Sequence, residues 1–133
     1  MKAVFLDTVG LIAVWDEDDQ WHAPAARVFA QLLREKTVMV TTPYVLAECA
    51  NAASRRPYRA DVVELRATLE RRKQVIFPTD EDWQEAWRRY AADRPGGPGV
   101  VDQLSFLVMR RYGLTRAFTN DQHFRTAGFE PLF

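Results

Sequence analysis

Short apolar runs alternate along this chain with longer segments of helical spacing, and few folds accept that alternation. Lys2 to Leu6, Thr37 to Thr41, Gln74 to Phe77 and Arg116 to Thr119 read as short buried strands, and Phe129 to Phe133 as a last edge strand. Thr8 to Trp15 reads as a brief helix or turn. His22 to Arg34 carries Ala26, Phe29, Ala30 and Leu33 at helical spacing. Thr42 followed by Pro43 is a start signal for a helix to about Ala53, and Arg55-Arg56-Pro57 breaks it. Arg59 to Arg72 follows, with Val62, Leu65 and Leu69 as its stripe. Thr79 is placed to cap a helix with Asp80, Glu81 and Asp82 in its first turn, where they suit the helix dipole. Trp83, Ala86, Trp87, Tyr90 and Ala91 mark the face of that helix predicted to be buried. Val101 to Tyr112 runs to Gly113, and Gln122 to Thr126 forms a short final helix. Helical crossovers between strands predict an α/β fold with a mostly parallel sheet covered on both faces. In such sheets a site forms at the carboxyl ends of the strands.

Four carboxylates fall at the edges of these apolar elements. Asp7 ends the first strand, Glu48 interrupts Tyr44 to Ala50, Asp102 opens the run Leu104 to Met109, and Asp121 follows Ala117 to Thr119 after one Asn. An isolated buried carboxylate is costly, so such groups are normally paired, protonated or bound to metal. One shared acidic site holding a divalent cation accounts for all four, and Mg²⁺ and Mn²⁺ prefer such oxygen ligands. Taken singly, Asp7 and Asp102 also suit helix N-caps, Asp121 suits a turn, and Glu48 suits a pairing with a distant Arg.

With 133 residues, the chain is expected to form one domain over residues 1–133. No apolar run approaches the roughly 18 to 20 residues needed to span a membrane. Asp7 and Asp16 to Asp19 come too early for a signal segment, and the single Cys49 cannot form an internal disulfide, so a cytoplasmic protein is expected. Zero net charge argues against a general nucleic-acid coat protein. It leaves room for a nuclease, whose acidic centre and basic surroundings can cancel. Of the 18 basic residues only Lys2, Lys36 and Lys73 are lysines. Arginine favours bidentate phosphate contacts, although a codon bias gives the same composition. The loop Arg94-Pro-Gly-Gly-Pro-Gly99 lacks the Lys-Ser/Thr of a P-loop, but its glycines can bring backbone close to a ligand. His22 and His123 are candidate general bases; a capping or packing role is the commoner one for a His so placed.

Leu6-Asp7-Thr8 with Leu11-Ile12-Ala13, then Leu46-Ala47-Glu48, then Val101-Asp102-Gln-Leu-Ser105-Phe106, then Thr119-Asn120-Asp121-Gln-His123-Phe124 resemble the successive motifs of PIN-domain ribonucleases. The nearest likeness is to VapC-type toxins of bacterial toxin–antitoxin pairs, and it spans essentially the whole chain. The resemblance implies a Rossmann-like three-layer α/β/α fold with a four- to five-stranded sheet. It implies Asp7, Glu48, Asp102 and Asp121 as metal-site and catalytic residues, with Mg²⁺ or Mn²⁺ as cofactor. It also implies cleavage of single-stranded or looped RNA, a homodimer and a cognate antitoxin. Two positions depart from the pattern: Val9 and Val101 stand where the family commonly has hydroxyl residues. Thr8, Ser105 and Thr119 are the substitutes available to support the acids. A PIN-like RNA- or partner-binding module with weakened catalysis is therefore the competing reading.

An RNA site joins a basic rim to stacking surfaces. The candidate contacts are Arg55, Arg56 and Arg59, with Tyr58 among them, and Arg94 in the loop before Asp102. Trp83 and Trp87 suit core or dimer surface. Trp15 and Trp21 flank the acidic loop, where an antitoxin segment could pack. A receiver-type signalling domain is disfavoured, because no Lys follows Lys73 and no acidic pair closes the first strand.

Overall fold

The computed structural model describes residues 2–133. The elements run β1 (Val4–Leu6), α1 (Thr8–Trp15), α2 (His22–Arg34), β2 (Met39–Val40), α3 (Pro43–Ala52), α4 (Arg59–Arg71), α5 (Asp80–Ala92), α6 (Val100–Arg111), β3 (Arg116–Phe118), α7 (Gln122–Thr126) and β4 (Glu130–Pro131). The four strands form one sheet in the order β2-β1-β3-β4, and every pairing is parallel. Helices cover the sheet in a three-layer α/β/α arrangement, as the alternation predicts.

β1 is central and wholly buried, which is why its sequence is a continuous apolar run rather than an alternating one. Its register aligns Leu6 with Phe118, so both strands end at one edge. Around them pack Phe29 against Phe118, at 5.4 Å between ring centroids, and Phe106 edge-on to Phe124 at 4.9 Å. Full burial of each such ring contributes about 2 kcal/mol. Gly10 lets α1 lie directly on β3: a Cβ there would sit 2.1 Å from the Phe118 carbonyl oxygen. The Thr41 hydroxyl donates to the Leu6 carbonyl across 2.8 Å, tying β2 to the end of β1.

Three expectations change. Gln74 to Phe77 is not a strand: it contributes one parallel bridge, Val75 to Thr41, fixed by Thr41 N to Gln74 O and Ile76 N to Thr41 O. Pro78 has no amide to continue the ladder, and Phe77 projects into solvent. In α2 the buried stripe is Ala25, Val28, Phe29 and Leu32, while Ala30 and Leu33 are exposed. Two apolar stripes overlap there at Phe29, and the one that also carries Ala25 and Leu32 is covered. On α5, Asp82 and Ala86 face the fold, whereas Trp83, Trp87 and Tyr90 are 36, 43 and 46 % exposed. The cause is Asp82, which closes a capping box with Thr79 and pairs with Arg111 of α6, turning the buried face of α5 toward that helix.

Candidate metal centre

The carboxyl ends of β1 and β3 lie side by side, and the helix that follows each starts there. Asp7 leaves β1 at the N-cap position of α1, and Asp121 occupies the N-cap position of α7. Asp102 is the third residue of α6, and Glu48 lies in the middle of α3. The four acids line one open recess of about 440 Å³, together with Thr8, Val9 and Asn51.

The innocent explanations separate at this point. Asp7 has extended backbone at an N-cap position, yet its side chain caps nothing. Its Oδ2 instead accepts the Thr119 hydroxyl across 2.8 Å, and the residue is 2 % exposed. Burial is the main force pushing its pKa from 3.8 up to about 7, with Asp102 and Asp121 adding repulsion and the Thr119 hydroxyl and Thr8 amide opposing them. Asp102 does not cap α6, because Gly99 takes that position. Burial, then Asp121 and Glu48, push its pKa up to about 6, against the Gly99 amide and His123. Asp121 does cap, accepting the His123 amide at 2.9 Å. No Lys or Arg forms an ion pair with any of these acids among the described residues.

Glu48 differs from the expectation of a carboxylate in the core. It is exposed, because Ala47, Asn51 and Ala52 form the solvent face of α3. The Thr8 hydroxyl holds it across 2.6 Å. Two of the three candidate hydroxyl substitutes therefore touch the acids, Thr8 on Glu48 and Thr119 on Asp7. Ser105 does not, since its hydroxyl bonds the Val101 carbonyl within α6. Val9 lines the recess and Val101 packs partly buried against the core.

One neighbour escaped the sequence reading. Asn51 joins the recess one helical turn after Glu48, and that spacing was the available signal. His123 reaches the Pro-Gly loop through Nε2, 2.9 Å from the Gly96 carbonyl, while its Nδ1 stands 3.2 Å from Asp121 Oδ1. Ligand atoms of Asp102, Asp121 and His123 come within 4.8 Å of one another. Asp7 and Glu48 line the recess with Asp102 and Asp121, and His123 is not part of that lining. The all-oxygen set is the better cation site, because the His123 ring is already engaged. His22 packs, its Nδ1 2.8 Å from the Ala13 carbonyl. Cys49 lies behind the centre, its thiol pushed up to about 12 by burial and then by Asp7 and Glu48.

The arginines sit further out. None of Arg55, Arg56, Arg59 or Arg94 lines the recess. Arg59 donates to the Ser54 carbonyl across 2.8 Å. Arg56 borders a different hollow, with Asp16, Glu17, Asp18 and Asp61. Arg55 and Arg94 are exposed.

Residues 4–130 match the family model for the PIN domain. Over 127 residues the chain is 30% identical to the 23S rRNA-specific endonuclease VapC20 of Mycobacterium tuberculosis, in strains CDC 1551 / Oshkosh and ATCC 25618 / H37Rv, covering 95% of each chain. The crystal structure of Mycobacterium tuberculosis VapC20, described as a Sarcin-Ricin loop cleaving toxin, aligns with a TM-score of 0.77 at 28% identity, covering 96% of both chains. With that match over nearly the whole chain, the protein belongs to the PIN-domain family.

Proposed function

We propose that the protein is a divalent-cation-dependent endoribonuclease and the toxin of a type II toxin–antitoxin pair. The observation that carries the reading is the convergence of Asp7, Glu48, Asp102 and Asp121 on one recess, with Asp7 buried and no lysine or arginine paired to any of them among the described residues. Four carboxylates so placed repel one another, and a bound cation relieves that repulsion. The donors are all oxygen, which suits Mg²⁺ or Mn²⁺. Asp7, Asp102 and Asp121 would hold the ion, with Glu48 completing the set from the rim.

A hard cation bound there supplies a Lewis acid for a phosphate oxygen and lowers the pKa of a bound water. The chain's own residues do the rest. Thr119 fixes Asp7 by donating to it while accepting the Asp121 amide, so one hydroxyl holds two acids in register. Thr8 fixes Glu48, the most exposed of the four, which faces the solvent that supplies the attacking water. These two contacts weigh against the reading of a weakened binding module, because the acids remain supported despite Val9 and Val101.

The Mycobacterium relative acts on 23S rRNA. The substrate class extended to this chain is looped or single-stranded RNA, with Arg55 and Arg94 as the free cations at hand. A cognate antitoxin and a cytoplasmic site of action belong to the same reading. So does a homodimer, formed through the exposed stripe in which Tyr44, Trp83, Trp87 and Tyr90 contact one another in series. Purified protein with Mg²⁺ or Mn²⁺ should cut a looped ribosomal RNA fragment, and Asp102→Asn should abolish cutting. Cleavage that persists in chelator and in Asp102→Asn overturns the reading.

A further inference from the structure

The loop of residues 94–99 joins α5 to α6, and Gly99 at its end is the N-cap of α6. Its position therefore sets where α6 begins and where Asp102, on the first turn, is carried. The Gly99 amide also bears directly on the Asp102 carboxylate. Gly96 sits in the middle of this loop with φ +92°, a conformation glycine adopts freely, and its carbonyl meets His123 Nε2 at 2.9 Å. A carbonyl only accepts, so Nε2 carries the proton in this contact. On the other side of the same ring, Nδ1 faces Asp121 Oδ1 at 3.2 Å.

We propose that His123 is a positioning residue, whose ring ties the 94–99 loop to α7 through Gly96 and so fixes the spacing of Asp102 and Asp121 across the recess. The inference rests on the metal-site reading above. It assigns His123 neither to the cation nor to proton transfer. Asp121 does not depend on the ring for its own orientation, because the His123 backbone amide already holds its Oδ1 at 2.9 Å and Thr119 accepts its amide. What the ring adds is the bond across to the loop. Without it, the loop and the start of α6 lose their only side-chain tie to α7 among the described hydrogen bonds of residues 94–99.

Side-chain stereochemistry gives a direct test. A glutamine amide nitrogen is as many bonds from Cα as the histidine Nε2, and an asparagine amide nitrogen as many as Nδ1. His123→Gln can therefore keep the bond to Gly96, while His123→Asn can replace only the contact with Asp121. Hydrogen exchange of the Gly96, Gly97 and Gly99 amides is measured on the full chain without metal, and Mn²⁺ affinity by calorimetry. His123→Ala and His123→Asn are expected to speed exchange in the loop and to weaken Mn²⁺ binding about three- to tenfold, the range expected for one lost hydrogen bond. His123→Gln is expected to restore both. Rescue by Asn instead of Gln assigns the ring to Asp121 or to the ion and overturns the proposal. So does failure of both to rescue, or no change in the Ala variant. Wild-type protein that binds no Mn²⁺ refutes the metal-site reading itself, while the exchange data still report on the tie.

Discussion

Asp7→Asn should make the metal-free protein more stable at pH 8 while removing the deepest acid of the proposed cation site. The folded state raises the Asp7 pKa from 3.8 to about 7, chiefly by burial. Each tenfold change in proton affinity is about 1.4 kcal/mol, so keeping Asp7 ionised in the fold costs on the order of 4 kcal/mol. The sign follows from proton counting. Between pH 3.8 and about 7 the folded protein holds a proton on Asp7 that the unfolded chain has lost. Stability from this group is thus complete below 3.8 and disappears as pH rises through about 7. An asparagine oxygen can still accept the Thr119 hydroxyl, but its amide group cannot accept from the Thr8 amide as a carboxylate oxygen does. That loss is about 1 kcal/mol. The net expected gain at pH 8 in chelator is about 3 kcal/mol, or roughly 10 °C in Tm for a chain of this size. At pH 4 the gain should shrink toward zero or reverse slightly. Urea unfolding at both pH values measures it. Saturating Mg²⁺ should then stabilise the wild type and leave Asp7→Asn unmoved, because a ligand stabilises only the state that binds it. An Asn variant that is less stable than wild type at pH 8, or a difference independent of pH, refutes the electrostatic account of this residue.

Three other substitutions test the frame around the site. Thr119→Val keeps the shape and removes the hydroxyl shared by Asp7 and the Asp121 amide; denaturant melts should show a loss of about 2 kcal/mol, and more than 4 kcal/mol would mean that packing dominates. Asp82→Ala removes both the capping box and the Arg111 partner; about 2 kcal/mol should be lost at neutral pH, and Asp82→Asn should recover part of it. Gly10→Ala places a carbon where the Phe118 carbonyl stands; a loss of at least 3 kcal/mol, or no soluble protein, is expected, and a wild-type melting curve would show that α1 can lift off β3.

The parts of the fold that were legible in the sequence are those decided locally. Thr42-Pro43 and Thr79 with Asp82 start α3 and α5 where expected, because capping is chemistry between residues three apart. The β1 and β3 runs were legible because a strand buried on both faces has no alternation to hide. The failures are tertiary. Nothing within Gln74 to Phe77 says that only Val75 will find a partner, since that depends on where Thr41 ends its ladder. Likewise α2 carries two usable apolar stripes that share Phe29, and which of them is covered is decided by what packs against Ala25 and Leu32 in the folded chain. The α5 aromatics misled for the opposite reason. A buried Asp82 paired to Arg111 outranks them, and the sequence reading gave Asp82 only the part of a first-turn acid suited to the helix dipole.

The same distinction explains the acidic centre. Adjacency to apolar runs located all four acids, but it treated them as equivalent, and their environments are graded. Asp7 is enclosed at a strand end, Asp102 and Asp121 are half-buried at helix starts, and Glu48 stands in solvent. The gradient follows from topology. A residue that ends the central strand has little access to water, whereas one in the middle of a surface helix meets it on one face. Proton affinity follows burial, with Asp7 raised to about 7 and Asp102 to about 6. A site of this kind exists near neutral pH only if something holds the deepest carboxylate ionised. Thr119 and the Thr8 amide supply part of that stabilisation within the chain, and a bound cation would supply the remainder. The hydroxyls that Val9 and Val101 lack are thus less decisive than the one just after β3 that touches Asp7, because the most deeply buried acid depends most on a donor to remain a carboxylate.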